Sequence, residues 1–436
     1  MDADLIPLLM FLTLFIALAA GIPIAFALAG IALSFSFVLW GPAGMNTLIT
    51  ATWGAMNNFV LVAIPLFIFM AMILEKSALV EDLYSAFYKW SGPLRGGLGV
   101  ATILVGAVIG AVSGVVAAGV IGLGLIALPQ MDEYGYDRKI SIGAILSGGT
   151  LGQLIPPCLV MVIYGAVTGV SVGSLFAAGV SAGLLLTSLF AGYILIRSWI
   201  NKDLCPSLPE DLRASWREKF ASLKALILPG LIIILCLGAI FSGAATPTEG
   251  AAVGAFGALL FSIVTGRFRW RILYESAFGT LKVTSMVGWM IAGASAFGSV
   301  FAGIGGNSLV MKIALSMPGG KWGALVLCIL FIFFLGMFLE TAGLIMLAAP
   351  IVTPVLTNLG FDPLWWGIVF MTLLQIAYIS PPFGFALFYL KGVTPPHITL
   401  GEIYWSSVPF MLLQLIGVLL IIFFPILGLW LPRLLM

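Results

Sequence analysis

Gly148-Gly149-Thr150-Leu151-Gly152-Gln153-Leu154-Ile155-Pro156-Pro157 sits inside one hydrophobic run, and Gln375-Ile376-Ala377-Tyr378-Ile379-Ser380-Pro381-Pro382 sits inside another, with the double prolines 225 positions apart. Proline removes an amide donor and clashes with the preceding turn, so each run reads as an apolar helix broken near its middle. Outward from these breaks, the same offset relates Pro93 to Pro318, Pro129 to Pro354, Gly135 to Gly360 and Asp137 to Asp362. Pro23 and Gly30 recur one residue short of it, as Pro247 and Gly254. So many punctuating residues in register imply an internal repeat. A matched pair of Gly/Pro-interrupted membrane segments is the sequence pointer to a transport site.

Composition sets the medium. Charged residues make up 8% of the 436 positions and the hydrophobic set 61%, with a mean hydropathy of +1.19. That much apolar surface belongs in a lipid bilayer, and runs such as Val408–Leu431 are long enough to span it. A net charge of +2 with no aromatic-laced basic patch gives no reason to expect nucleic acid. Cys158, Cys205, Cys236 and Cys328 show neither disulfide nor zinc spacing. No Ser/His/Asp set, H-E-x-x-H or Walker loop is present, so neither catalysis, nor ATP hydrolysis, nor a cofactor is expected. The lone His397 follows two prolines and reads as a solvated loop side chain. The first basic residue is Lys76, so no cleavable signal is expected.

The polar stretch 197–224 holds Arg197, Lys202, Arg213, Arg217, Lys219 and Lys224, which places it in the cytoplasm. It divides the chain into an N-terminal repeat, 1–196, and a C-terminal repeat, 225–436. Full crossings are expected at 4–20, 22–40, 58–74, 141–170 and 175–196, then at 226–243, 247–265, 281–303, 364–391 and 408–431. Of 19 lysines and arginines, only Lys312, Lys321 and Arg433 then fall outside. An odd number of crossings inverts the second repeat, and both termini lie outside, which fits the acidic Asp2 and Asp4. The apolar stretches 98–128 and 322–353 are too long for one span and too short for two. Each is read as a re-entrant hairpin, whose non-helical tip must be buried or line a cavity. Segments 75–90 and 303–317 read as amphipathic arms. The fold class is an all-α polytopic membrane protein of two inverted repeats, each with a hairpin and a broken helix.

Unpaired carbonyls at the breaks suit a cation, and half-helix N-termini beside them suit an anion. The first tip is expected at Ser113-Gly114-Val115-Val116-Ala117-Ala118-Gly119 and the second at Glu340-Thr341-Ala342-Gly343. Glu340 is an intramembrane acid, a functional candidate by default, with a carboxylate satisfied by helix amides as the plain alternative. Thr246-Pro247-Thr248-Glu249 matches a capping box, which explains its spacing without a ligand. Asp137 and Asp362 are placed to cap the helices that follow them.

These residues resemble the large membrane subunit of tripartite ATP-independent periplasmic (TRAP) transporters. The resemblance covers the whole chain. It rests on Thr246-Pro247-Thr248-Glu249-Gly250-Ala251-Ala252, Gly148–Gly152 running into Ile155-Pro156-Pro157, Ile163-Tyr164-Gly165 with Thr168-Gly169-Val170-Ser171, Leu335-Gly336-Met337-Phe338, and Ser380-Pro381-Pro382-Phe383-Gly384. It implies elevator-type uptake of an organic acid across the bacterial inner membrane, with sodium as the coupling ion. The implied partners are a small four-helix membrane subunit and a periplasmic substrate-binding protein. Sodium ligands carry over to Ser113, Gly114, Gly149, Gly152 and Pro156, and to Thr341, Gly343, Ala377 and Ser380, mostly through carbonyls. Candidate substrate contacts are Ser113, Gly114, Gln153, Glu340, Thr341 and Ser380. The chain departs from the family in its apolar first tip and in Glu340, where aspartate is frequent. The stretch Phe383–Gly392 looks like a subgroup that handles monocarboxylates or oxo acids. A stand-alone sodium–carboxylate symporter would need no partners, a membrane enzyme would need clustered titratable groups, and a structural subunit would have no use for two broken helices.

Overall fold

The computed structural model describes residues 4–77, 79–210 and 213–435, and these are helical with no strand among them. The first half contains α1 (Leu5–Ala19), α2 (Ile24–Trp40), α3 (Gly44–Met56), α4 (Ala63–Lys76), α5 (Leu79–Ser91), α6 (Gly97–Ser113), α7 (Val116–Glu133), α8 (Arg138–Thr150), α9 (Leu159–Thr168) and α10 (Val172–Ile200). A short helix, α11 (Trp216–Ser222), lies in the polar stretch between the halves. The second half contains α12 (Lys224–Phe241), α13 (Pro247–Val264), α14 (Trp270–Gly303), α15 (Gly306–Leu315), α16 (Lys321–Gly336), α17 (Thr341–Asn358), α18 (Pro363–Tyr378), α19 (Phe385–Val393), α20 (Leu400–Phe423) and α21 (Ile426–Leu435).

The residues that recur in the sequence do the same local work in both halves. Asp137 caps α8 by accepting from the Ile140 amide at 3.1 Å, and Asp362 caps α18 by accepting from the Trp365 amide at 2.7 Å. Gly135 and Gly360 hold left-handed φ values of 69° and 84° just past α7 and α17, where a side chain would be strained. Pro129 and Pro354 fall inside those same helices. The contacts exchange accordingly. Helix α4 packs on α13 and α2 on α14, α8 on α20 and α10 on α18, α9 on α17 and α7 on α19.

Two groups result. Helices α2, α3, α4, α12, α13 and α14 pack on one another, and α6–α10 pack with α16–α21. The first group turns large apolar side chains outward, such as Val38, Ile49, Trp53 and Trp289. This surface suits lipid or an apolar partner. Among the described residues, 8 helical segments are long and apolar enough to cross a membrane, α7, α14 and α17 among them. Several crossings expected from sequence are instead shorter apolar helices, Leu5–Ala19 being one.

Some bounds differ from the sequence expectation. Residues 41–57, unassigned from sequence, form a 3₁₀ turn and α3. Helix α14 begins at Trp270 rather than 281, because Glu275 pairs with Arg271 at 2.7 Å and Lys76 at 2.9 Å, which lets a charged turn continue the span. The last run is interrupted at Phe424-Pro425, between α20 and α21. The arms appear as α5 and α15, within the expected 75–90 and 303–317 stretches apart from one residue at the end of α5.

Candidate functional site

Both breaks form where the prolines demand them. Helix α8 ends at Thr150, one 3₁₀ turn follows at Leu151–Gln153, and the chain is non-helical until α9 starts at Leu159. Helix α18 ends at Tyr378 and resumes as α19 at Phe385. Helices α6 and α7 pack on each other and on α8, and α16 and α17 pack on each other and on α18. Each broken helix therefore carries a helical hairpin at its side.

The first tip is narrower than expected from sequence. Helix α6 runs to Ser113 and α7 starts at Val116, so Val116–Gly119 are helical and only Gly114-Val115 make the turn. Gly114 has φ 61° and its amide closes on the Gly110 carbonyl at 2.8 Å. A Cβ on Gly114 would lie 3.5 Å from the Pro157 carbonyl oxygen and the Leu159 amide nitrogen, so the tip stands over the first break. Below it the contacts are backbone on backbone. A Cβ on Gly110 would be 2.0 Å from Gly152 Cα, and one on Gly106 would be 2.4 Å from the Gly148 carbonyl carbon. A Cβ on Gly149 would be 2.7 Å from the Val120 amide nitrogen. Glycine is required at these crossings because no other residue lets two helices approach so closely. The side chain of Ser113 lies outside the described residues.

The second tip is a turn at Met337–Leu339, with Glu340 capping α17 through the Ala342 amide at 3.2 Å. That bond matches the plain alternative for Glu340, an acid held by helix amides. Thr341 is buried, and its hydroxyl bonds to the phenol of Tyr378, the last residue of α18. The same phenol donates to Gln153 Oε1 in the first break. One tyrosine thus joins the second tip, the second break and the first break. Gln153 and Thr341 are brought together, and Tyr378 is the functional candidate that sequence reasoning missed. The signal was available: Tyr378 is the partner of Gln153 at the 225-residue offset.

Ser380 Oγ is buried in the second break without a hydrogen-bond partner among the described residues, as are both polar atoms of Gln375 one turn earlier. Ala377 packs against Gly336, and Gly343 against the side chain of Ile24 at the start of α2. The expected residues therefore divide into Gly114, Gly149, Gly152 and Pro156 along the first hairpin, and Thr341, Ala377 and Ser380 around the second. Gly343 faces the other helix group.

Glu340 opens into a cavity of about 1100 Å³ between α1, the α1–α2 turn, α16 and α19, a region rich in phenylalanine. Two smaller cavities of about 340 and 640 Å³ share Val167 and Pro350 and lie toward the other end of α17, lined by Asn58, Ser295, Ser299 and Thr353 without a charged group. Elsewhere the capping box holds: Glu249 accepts from the Thr246 amide at 2.7 Å while Thr246 accepts from the Glu249 amide at 3.3 Å, so these residues start α13.

Comparison with known proteins agrees with this architecture. The solved structure of the YdaH transporter of Alcanivorax borkumensis superposes with a TM-score of 0.62 at 15% identity, covering 94% of this chain and 97% of that one. The likeness is one of fold. The large permease protein DctM of a C4-dicarboxylate TRAP transporter from Pseudomonas aeruginosa is 32% identical, covering 93% of each chain. The sialic acid TRAP large permease SiaM of Vibrio cholerae is 31% identical over 96% of each. The ectoine TRAP large permease TeaC of Halomonas elongata is 28% identical over 95% of this chain and 96% of its own. The model of the tripartite ATP-independent periplasmic transporter family, DctM component, matches residues 11–427. This polytopic helical membrane protein is therefore a transporter subunit, not an enzyme, and it belongs to the DctM family of TRAP large permeases.

Proposed function

We propose that the chain takes up an organic acid across the bacterial inner membrane, driven by a sodium gradient, together with a small four-helix subunit and a periplasmic binding protein. The observation that carries sodium coupling is the buried, unpartnered hydroxyl of Ser380 inside the second break. Such a group is costly unless a ligand satisfies it. A sodium ion held by Ser380, Thr341 and the non-helical carbonyls would do so, with a second ion at Gly114, Gly149, Gly152 and Pro156. The exchanged packing of the two halves supports an inverted repeat with both termini periplasmic and 197–224 cytoplasmic. Ion pairs fit this topology: Asp4 meets Lys312 at 2.6 Å on one face, and Asp82 meets Arg267 at 2.6 Å on the other. The separation into α2–α4 with α12–α14, and the rest, supports an elevator in which hairpins and broken helices move against a scaffold. Separate cavities toward the two ends of α17 suit access from alternate sides. The relatives transport C4-dicarboxylates, sialic acid and ectoine by name, so a carboxylate is the common substrate feature, and a monocarboxylate or oxo acid is the narrower expectation here.

The test is vesicles holding the chain with its small subunit, supplied with loaded binding protein and a panel of labelled carboxylates. Uptake should require an inward sodium gradient and collapse when sodium is replaced by potassium or choline. Ser380→Ala should weaken the sodium dependence. Equal uptake in potassium refutes sodium drive, and full uptake by the chain without partners favours a stand-alone symporter.

A further inference from the structure

The cavity beneath Glu340 has a chemistry that the transport of simple carboxylates does not explain. Its walls are aromatic on three sides: Phe15 from α1, Phe334 and Phe338 around the end of α16, Phe383 in the second break, and Phe388 and Tyr389 from α19. The rings form a connected series. Phe334 and Phe338 have centroids 5.2 Å apart at 55°, and Phe338 and Phe383 are 5.6 Å apart at 47°. Glu340 is the one charged group among the described residues lining this cavity, and none of them is basic. The nearest lysine in sequence, Lys391, is engaged: its Nζ donates to the Ile398 carbonyl at 2.6 Å. Phe338, Phe383 and Phe388 remain 47%, 50% and 42% exposed, so these rings line the cavity rather than pack into the core.

A free carboxylate is poorly served here. It would meet a like charge and, among the described lining residues, no basic side chain. Aromatic rings joined to a carboxylate instead favour a cation, because the ring faces are negative and a desolvated quaternary or delocalised cation binds them well. We infer that this cavity is a binding site for the cationic end of a zwitterionic acid, an ammonium that is quaternary or an amidinium, with Glu340 as its counter-charge. The inference rests on the transport reading and narrows its substrate class to carboxylates that also carry such a cation. The volume, about 1100 Å³, accommodates a body larger than the cationic group alone.

Two isosteric probes separate charge from shape. Glycine betaine carries a trimethylammonium group, and 3,3-dimethylbutyrate has a tert-butyl group in its place. Binding of each to the purified chain, followed by ligand-observed NMR without any ion gradient, is independent of whether sodium drives uptake. Betaine should bind at least tenfold more tightly than its isostere. Glu340→Gln, which keeps an acceptor at the start of α17, should bring the two within about twofold. Phe338→Leu should weaken betaine severalfold and leave the isostere unchanged, and Phe338→Tyr should restore betaine. Equal or tighter binding of the isostere, undiminished betaine binding in both Glu340→Gln and Phe338→Leu, or no betaine binding at all, overturns the inference. Sodium-driven uptake without betaine selectivity would sink this site alone. Betaine selectivity without sodium-driven uptake would sink the coupling and leave the site.

Discussion

At the first tip the hairpin meets its broken helix glycine to glycine, with Gly110 lying on Gly152 and Gly106 on Gly148, while at the second tip the corresponding meeting is made by side chains. There Tyr378 reaches Thr341 and Gln153, Glu340 caps α17, and an aromatic cavity opens beside it. The frames that carry the two tips are alike, with matched caps, matched left-handed glycines and exchanged packing. A repeated frame can thus hold one contact fixed by backbone shape and one fixed by removable polar groups. The first has no torsion to relax. The second can be undone one hydrogen bond at a time.

Three sets of substitutions break or sharpen that contrast. The largest effect belongs to Gly110→Val, because its Cβ strikes backbone and only displacement of a whole helix relieves it. A loss at or beyond the upper end of about 1–3 kcal/mol is expected, read as the disappearance of monodisperse folded protein in detergent. Gly343→Ala, whose Cβ meets the movable end of Ile24, should cost only about 1 kcal/mol. Equal losses at the two glycines would erase the distinction. Next is Tyr378→Phe. It leaves buried Thr341 and Gln153 without their partner, a cost of about 1–3 kcal/mol. A double-mutant cycle with Thr341→Val should show coupling, whereas additive losses in thermal unfolding would deny the link. Smallest, and expected to be the same in both halves, are Asp137→Ala and Asp362→Ala. Each removes an N-cap and should cost about 1 kcal/mol. Unequal shifts in melting temperature would show that the frames, and not only the tips, have diverged.

What the sequence made legible follows from how local each signal is. Proline and glycine act on their own backbone, so the breaks at Pro156-Pro157 and Pro381-Pro382, both hairpins and the caps at Asp137 and Asp362 could be read without the fold. The capping box at Thr246–Glu249 was legible for the same reason. Helix α3 escaped because residues 41–57 mix small, polar and apolar positions, and helical periodicity is weak where both faces of a helix can be apolar. Val116–Gly119 read as part of the tip from sequence because glycine marks both turns and close helix crossings, and here Gly119 makes a crossing, an added Cβ lying 2.9 Å from the Gly149 carbonyl oxygen. The phenylalanine cavity depends on which residues from distant segments meet, and single-chain patterning carries no such information, whereas Tyr378 is marked in the sequence by its 225-residue offset from Gln153.

The link at Tyr378 also has a direction. A phenol owns one proton, and here that proton goes to the Gln153 carbonyl oxygen. The bond with Thr341 must then run from the threonine hydroxyl to the phenol oxygen. Thr341 therefore has no proton left to offer, and its oxygen presents lone pairs alone. The three groups act as a row of aligned dipoles whose negative end lies at the second tip. A positive charge arriving there finds an acceptor already oriented, while an anion would have to reverse two hydrogen bonds and a glutamine amide before it could be received.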